Sequence, residues 1–113
     1  MTAGRIIAIV PAFNEAGAIA GVVDAIRAVG PEYDVVVVDD GSVDDTSAIA
    51  RRHGASVVTL PYNIGIGGTV QTGFKYALEH GYETAVRLDG DGQHDPAELS
   101  KLLGPIERGE ADI

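Results

Sequence analysis

Four short apolar runs, each followed by a segment with helical periodicity, constrain the fold of this chain more than any other feature. The runs cover residues 6–10, 35–38, 56–60 and 84–88. The first two are continuous and β-branched, a pattern typical of strands buried on both faces. Strands that alternate with helical segments over short connections predict parallel βα units. We therefore predict an α/β domain, a Rossmann-like parallel sheet with helices on both faces.

The helical segments have recognisable start signals. Asn14 is suited to cap the first helix, and residues 42–45 resemble a capping box that opens the second near Ser42. Residues 95–98 give a similar signal for a fourth helix, with Pro96 at its first position. The third helix is expected to follow a flexible loop over residues 65–68 and to carry the apolar residues Val70, Phe74, Ala77 and Leu78.

Three of the predicted strands end in unusual polar sequence. The first is followed by Pro11-Ala12-Phe13-Asn14-Glu15, the second by Asp39-Asp40-Gly41-Ser42 and the fourth by Asp89-Gly90-Asp91. In open parallel sheets, ligands bind beyond the carboxyl ends of the strands, so these segments are expected to meet. Acidic groups gathered there would repel one another unless a cation or N–H donors lie among them. A metal ion together with a nucleotide base would supply both.

Asp89 and Asp91 follow the fourth run one residue apart. In extended chain their side chains point to the same side, about 6–7 Å apart, and a slight turn at Gly90 would let them share one divalent cation. Oxygen ligands of this kind suit Mg²⁺ or Mn²⁺, and Gln93 offers a third oxygen. Gly90 also lets a phosphate approach the backbone closely. The alternative is an acidic surface turn in which Asp95 caps a helix. Asp39 and Ser42 have a similar alternative as helix caps.

Composition excludes several classes of function. The chain has 113 residues, which argues for one domain, and its 8 Lys and Arg against 17 Asp and Glu give a net charge of −9. This balance argues against nucleic-acid binding, which needs cations on phosphates. The absence of Cys excludes disulfides and thiolate metal sites and fits a reducing, cytoplasmic compartment. The sequence contains neither a G-x-G-x-x-G nor a P-loop motif.

Taken together and in order, these motifs and Asn63-x-Gly65-x-Gly67-Gly68 resemble those of family 2 glycosyltransferases. The pattern is most similar to polyprenyl-phosphate mannose and glucose synthases. The resemblance implies a GT-A fold, a UDP- or GDP-sugar donor, a divalent metal and inverting transfer to an acceptor such as a polyprenyl phosphate at the cytoplasmic face of a membrane.

The resemblance also implies roles for individual residues, carried over by motif position. Nucleotide binding is expected from Pro11, Phe13, Glu15, Val38, Asp40, Asp89, Gly90 and Asp91. Metal binding is expected from Asp89, Asp91 and Gln93.

The family resemblance also sets expectations about what residues 1–113 lack. Family members are commonly longer, so residues 1–113 are expected to be the nucleotide-sugar-binding part, with the acceptor-binding half absent and the general base beyond Ile113. By itself such a chain is expected to be inactive and to self-associate through an exposed sheet edge. Two alternatives remain open: a nucleotide-binding module without turnover, and a sugar nucleotidyltransferase.

Overall fold

The computed structural model describes residues 5–30 and 33–90, which form four strands and three helices in strict alternation. The elements are β1 (Ile6–Ala12), α1 (Ile19–Val29), β2 (Tyr33–Asp39), α2 (Thr46–Arg52), β3 (Ser56–Thr59), α3 (Ile66–Glu79) and β4 (Thr84–Arg87). The predicted order of elements is confirmed over this part of the chain. The helix predicted after Asp95 lies outside the described residues.

The four strands form one parallel sheet in the order β3-β2-β1-β4. Ile9, in the middle of β1, lies opposite Val36 on one side and Arg87 on the other. The strand does not end before Pro11, as the sequence predicts, but continues to Ala12. A proline fits there because it removes one donor and still adopts an extended backbone. The two longest strands thus lie side by side, and their carboxyl ends are adjacent.

The sheet is covered on both faces, and the alternation of side chains along the strands explains how. Val10 and Val37 belong to the core cluster that α1 and α2 cover, whereas Ile9 and Val36 belong to the cluster beneath α3. All seven residues of β1 are buried. This is why its sequence is continuously apolar rather than alternating.

Helix α3 packs on the sheet through small residues, which include the predicted Ala77 but not the predicted Phe74 and Leu78. Its buried residues are Thr69, Gly73 and Ala77, whereas the side chains of Phe74 and Leu78 are 43% and 80% exposed. The helix lies so close to β1 that a Cβ added at Gly73 would be 2.2 Å from Ile9 Cγ2. Only small residues fit at such a distance, so the large apolar side chains lie on the flank.

A polar cluster closes the amino-terminal edge of the sheet. The Tyr82 hydroxyl donates to the Asp34 carboxylate over 2.5 Å, and the Arg5 guanidinium lies 3.3 Å from the same carboxylate and 4.2 Å from the Tyr82 ring. Burial, followed by this hydrogen bond, raises the pKa of Tyr82 to about 12. The three side chains join the start of β1, β2 and the turn before β4.

None of the helices in residues 5–30 and 33–90 has both the length and the apolar character needed to cross a membrane.

Candidate functional site

A cavity of about 400 Å³ lies at the carboxyl-terminal edge of the sheet, where β1, β2 and β4 end. The described residues that line it are Pro11, Ala12, Phe13, Glu15, Asp40, Asn63, Gly65, Ile66, Thr69, Asp89 and Gly90. The three polar segments that follow the strands are therefore brought together, as the parallel topology predicts. Six of the eight residues predicted to bind nucleotide line this one cavity.

The two remaining residues predicted to bind nucleotide are Val38 and Asp91, and the structure describes only Val38. Val38 does not line the cavity but is fully buried in the core beneath α3. Val38 precedes Asp40 by two residues and is directed to the same face of the sheet. It lies within β2, however, where α3 covers that face. Asp91, and with it Gln93 of the predicted metal set, lies outside the described residues, so their roles stay predictions.

The loop after β1 is fixed to the loop after β2 by hydrogen bonds between backbone and side chains. The Asn14 backbone N–H donates to Ser42 Oγ over 2.8 Å, and the Val43 N–H donates to Asn14 Oδ1 over 2.9 Å. The Glu15 N–H donates to Thr46 Oγ1 over 3.0 Å. Because these bonds span both loops, they set the positions of the lining residues on either side of Asn14.

These bonds correct the predicted helix caps. Helix α1 begins four residues later than Asn14 would place it, with Ala18 as the N-cap, and α2 has Asp45 as its N-cap. In the described part of the chain, neither cap residue uses its side chain for a capping hydrogen bond. Asn14 has a φ of 52°. Its side chain and that of Ser42 bond across the loops instead of to their own helices, a competition that short polar side chains commonly show.

Asp44 strengthens the same connection. Its carboxylate accepts hydrogen bonds from the Thr46 hydroxyl and backbone N–H, and its second oxygen accepts from the Ala16 N–H over 3.2 Å. The Thr46 hydroxyl is the main reason that the pKa of Asp44 lies below its usual value. The ionised carboxylate holds the start of α2 against the loop that precedes α1.

Asp39 and Asp40 have different partners although they are adjacent. Asp39 is directed into the turn before α2, where it accepts from the Ser42 N–H over 2.8 Å and from the Ser47 hydroxyl over 2.6 Å. Neither donor is a backbone N–H of α2, so Asp39 stabilises the turn between β2 and α2 and does not cap the helix. Asp40 is directed instead towards the loop between β3 and α3.

The Asp40 carboxylate holds the β3–α3 loop against the end of β2. One oxygen accepts from the Ile64 N–H over 2.7 Å and the other from the Gly65 N–H over 3.0 Å, and the residue is only 5% exposed. Gly41 assists, because its φ is +76° and a Cβ there would lie 2.7 Å from the backbone carbon of Tyr62. An ionised carboxylate has about four acceptor positions, so Asp40 keeps capacity for a ligand on the cavity side.

Asp89 lies at the rim of the cavity beside a basic side chain. Arg87 Nη2 is 3.4 Å from Asp89 Oδ1, and the two side chains are 48% and 52% exposed. The adjacent Gly90 is buried, and a Cβ there would lie 2.9 Å from the Pro11 carbonyl oxygen. Close packing of the two strand ends therefore requires glycine at position 90, whether or not a phosphate also approaches it.

The cavity is strongly acidic. Its described lining includes the carboxylates of Glu15, Asp40 and Asp89 and no Lys or Arg. Within residues 5–30 and 33–90, no three His, Cys, Asp or Glu side chains are grouped so as to hold a metal ion by themselves. Asp89 nevertheless suits Mg²⁺ or Mn²⁺, because Mg²⁺ usually takes one or two protein carboxylates, with waters and substrate phosphates completing its coordination.

Sequence reasoning assigned no site residue to the wall that the β3–α3 loop and the first turn of α3 contribute, although phosphate contact by the loop glycines was one alternative. Asn63, Ile66 and Thr69 line the cavity, and the Thr69 hydroxyl donates to the Gly65 carbonyl over 2.7 Å. The Asn63-x-Gly65-x-Gly67-Gly68 motif was the available signal. However, its glycines predict a flexible loop, whereas positions 67 and 68 form the first turn of α3.

Comparison with known proteins identifies relatives along nearly the whole chain. The family model described as Glycosyl transferase family 2 matches residues 7–113. The undecaprenyl-phosphate mannosyltransferase of Micrococcus luteus is 36% identical over 107 residues, covering 90% of this chain and 44% of that protein. The polyprenol monophosphomannose synthase of Mycolicibacterium smegmatis is 34% identical over 115 residues, covering 96% and 43%. The chain thus spans less than half the length of these relatives.

Solved structures show the same architecture. The glucosyl-3-phosphoglycerate synthase of Mycobacterium tuberculosis, in complex with Mn²⁺, UDP and glucosyl-3-phosphoglycerate, superposes with a TM-score of 0.74 at 29% identity. The match covers 95% of this chain and 41% of that one. Together with the four-stranded parallel sheet, this similarity confirms the predicted GT-A fold.

Proposed function

This chain belongs to glycosyl transferase family 2, as its motifs predict, and from that premise we propose that it binds the nucleoside-diphosphate sugar donor of an inverting glycosyl transfer. The observation that carries the proposal is the cavity where the strand-end segments meet, with Asp40 inside it and Asp89 at its rim. The similar structure with bound Mn²⁺ and UDP supports the same class of ligand.

The base and ribose of a UDP- or GDP-sugar are proposed to bind between the β1–α1 loop and the β3–α3 loop. Phe13 and Pro11 offer apolar surface for a base, and Phe13 is nearly half exposed at the cavity. Asp40 supplies acceptors for base or ribose donors, and the Asn63 carboxamide supplies both a donor and an acceptor. Glu15 lines the same side and completes the polar part of the pocket.

The diphosphate is proposed to lie at the rim beside Asp89. A Mg²⁺ or Mn²⁺ ion held by Asp89, Asp91 and Gln93 would offset the charge that develops on the departing nucleoside diphosphate. Asp89 fits this role because its carboxylate is half exposed and directed to the cavity rim. Asp91 and Gln93 enter the proposal from the sequence motif alone.

A polyprenyl phosphate at the cytoplasmic face of a membrane is the proposed acceptor. Two relatives are named for polyprenyl-phosphate substrates or products, and each is more than twice as long as the part matched here. We therefore place the acceptor site and any general base outside residues 1–113, and expect these residues alone to bind donor without transferring sugar. General-base catalysis is typically worth about 10²–10⁴ in rate, and positioning of the acceptor contributes further.

Product analysis tests the proposed reaction, with a chain extended by the acceptor-binding part that we place outside residues 1–113. Incubation with UDP- or GDP-sugars, Mn²⁺ and polyprenyl phosphate is expected to release nucleoside diphosphate and form a glycosylated lipid. Pyrophosphate formed or consumed in place of nucleoside diphosphate would show a sugar nucleotidyltransferase. Donor binding without any turnover, with polysaccharide and protein acceptors also tried, would show a nucleotide-binding module.

A further inference from the structure

A cavity lined by carboxylates is an unfavourable place for a diphosphate. Phosphate groups carry several negative charges near neutral pH, and the described lining includes the carboxylates of Asp40 and Asp89 but no Lys or Arg. A divalent metal at Asp89 offsets part of this repulsion. A basic side chain within reach of the same rim would offset more of this repulsion.

Arg87 is the one basic side chain of residues 5–30 and 33–90 that lies within 4 Å of a cavity carboxylate. It is near the end of β4, two residues before Asp89, and its Nη2 is 3.4 Å from Asp89 Oδ1. Other basic residues have partners elsewhere: Arg5 contacts Asp34, Arg51 contacts Thr59, and Lys75 pairs with Glu79.

The ion pair between Arg87 and Asp89 is weak, so either side chain can leave it for another partner. Both side chains are about half exposed and their contact is long, and exposed ion pairs contribute little to stability. The guanidinium has five N–H donors, of which this contact uses one, in a planar fork that suits phosphate. Breaking the pair would therefore leave both partners available for stronger ligands.

We propose that Arg87 is a phosphate-binding residue of this site. It neutralises Asp89 until a divalent cation binds that carboxylate, and it then donates to a phosphate oxygen of the substrate. The assignment rests on the proposed function. The phosphate is that of the donor's diphosphate or that of the acceptor, since both carry the same oxyanion chemistry, and the experiment below separates the two.

The test compares Arg87→Gln with the wild-type protein by calorimetry in Mn²⁺, with both chains extended through the proposed acceptor-binding part. Uridine, UMP and UDP (or guanosine, GMP and GDP, whichever series the wild type binds) are titrated first, and geranyl phosphate is titrated in the presence of saturating nucleoside diphosphate. Arg87→Lys serves as the conservative variant. Arg52→Gln is the matched control, because Arg52 is an exposed arginine in the last turn of α2.

We expect Arg87→Gln to weaken nucleoside diphosphate binding by about tenfold or more, since hydrogen bonds between charged groups are the strong ones. Nucleoside binding should not change, Arg87→Lys should recover part of the affinity, and the control should match the wild type. The melting temperature without ligand should also be unchanged, because the pair is exposed. A loss confined to geranyl phosphate would also support the assignment and identify the acceptor as the source of the phosphate.

Wild-type binding with unchanged affinities in Arg87→Gln for both phosphate ligands would overturn the assignment and leave the proposed function standing. A wild-type protein that binds neither nucleotide series would overturn the proposed function, and the assignment with it.

Discussion

Asp40→Asn is expected to lower the free energy of unfolding by about 2–3 kcal/mol and to weaken nucleotide binding by about tenfold or more. The Asp40 carboxylate is buried, and its two oxygens accept the backbone N–H groups of Ile64 and Gly65. An amide keeps only one acceptor oxygen and places an NH₂ group against the other N–H. The β3–α3 loop would then lose a buried hydrogen bond and move, taking Asn63 and one wall of the cavity with it.

Asp45→Asn is the matched control for Asp40→Asn. Asp45 is exposed, and as the N-cap of α2 it forms no side-chain capping bond within the described residues, so its substitution should change stability by less than about 0.5 kcal/mol. Urea unfolding measures stability, and calorimetric titration measures affinity. Unchanged stability of Asp40→Asn with lost affinity would show that Asp40 acts on the ligand alone and does not hold the loop.

Gly73→Ala is expected to destabilise the fold by about 1–3 kcal/mol, as overpacking of a dense core usually does. The added Cβ would lie 2.2 Å from Ile9 Cγ2, and Ile9 is fully buried in the central strand. Neither side chain can move aside, so α3 must shift away from the sheet. The shift would also displace Thr69, one turn earlier, and thereby disturb the cavity wall.

Gly21→Ala also replaces a helical glycine, but it is expected to have the opposite effect on stability. Gly21 is an exposed residue inside α1, and a Cβ there meets nothing within 4 Å. The substitution should therefore stabilise the protein by about 0.5–1 kcal/mol through helix propensity. Thermal and urea unfolding of both variants provide the comparison. Stabilisation by Gly73→Ala would contradict the close contact between α3 and β1.

The architecture was predictable because its signals are local. Apolar runs such as residues 35–38 can hardly be exposed, and each run is separated from the next by a helical segment long enough for a parallel crossover. The same argument places Pro11, Asp40 and Asp89 at one edge of the sheet, because parallel strands end together. The structure places all three at one cavity.

The predictions that were wrong depend on contacts between residues far apart in sequence. Asn14 and Ser42 are good caps by type, but they bond to each other's loops, 28 residues apart. Phe74 and Leu78 are apolar at helical spacing, but the small Gly73 determines which face of α3 approaches the sheet. No site residue was assigned to the β3–α3 wall for the same reason, since its position depends on the Asp40 carboxylate that follows β2.

The central claim is that this chain binds a nucleoside diphosphate with a divalent cation. Calorimetric titration of UDP and of GDP, each with and without Mn²⁺, tests it most directly, and Asp89→Asn serves as the variant that removes one proposed metal ligand. We predict saturable binding of one nucleotide that Mn²⁺ strengthens, with the metal-dependent part reduced in Asp89→Asn. No binding heat for either nucleotide in the presence of Mn²⁺ would contradict the claim.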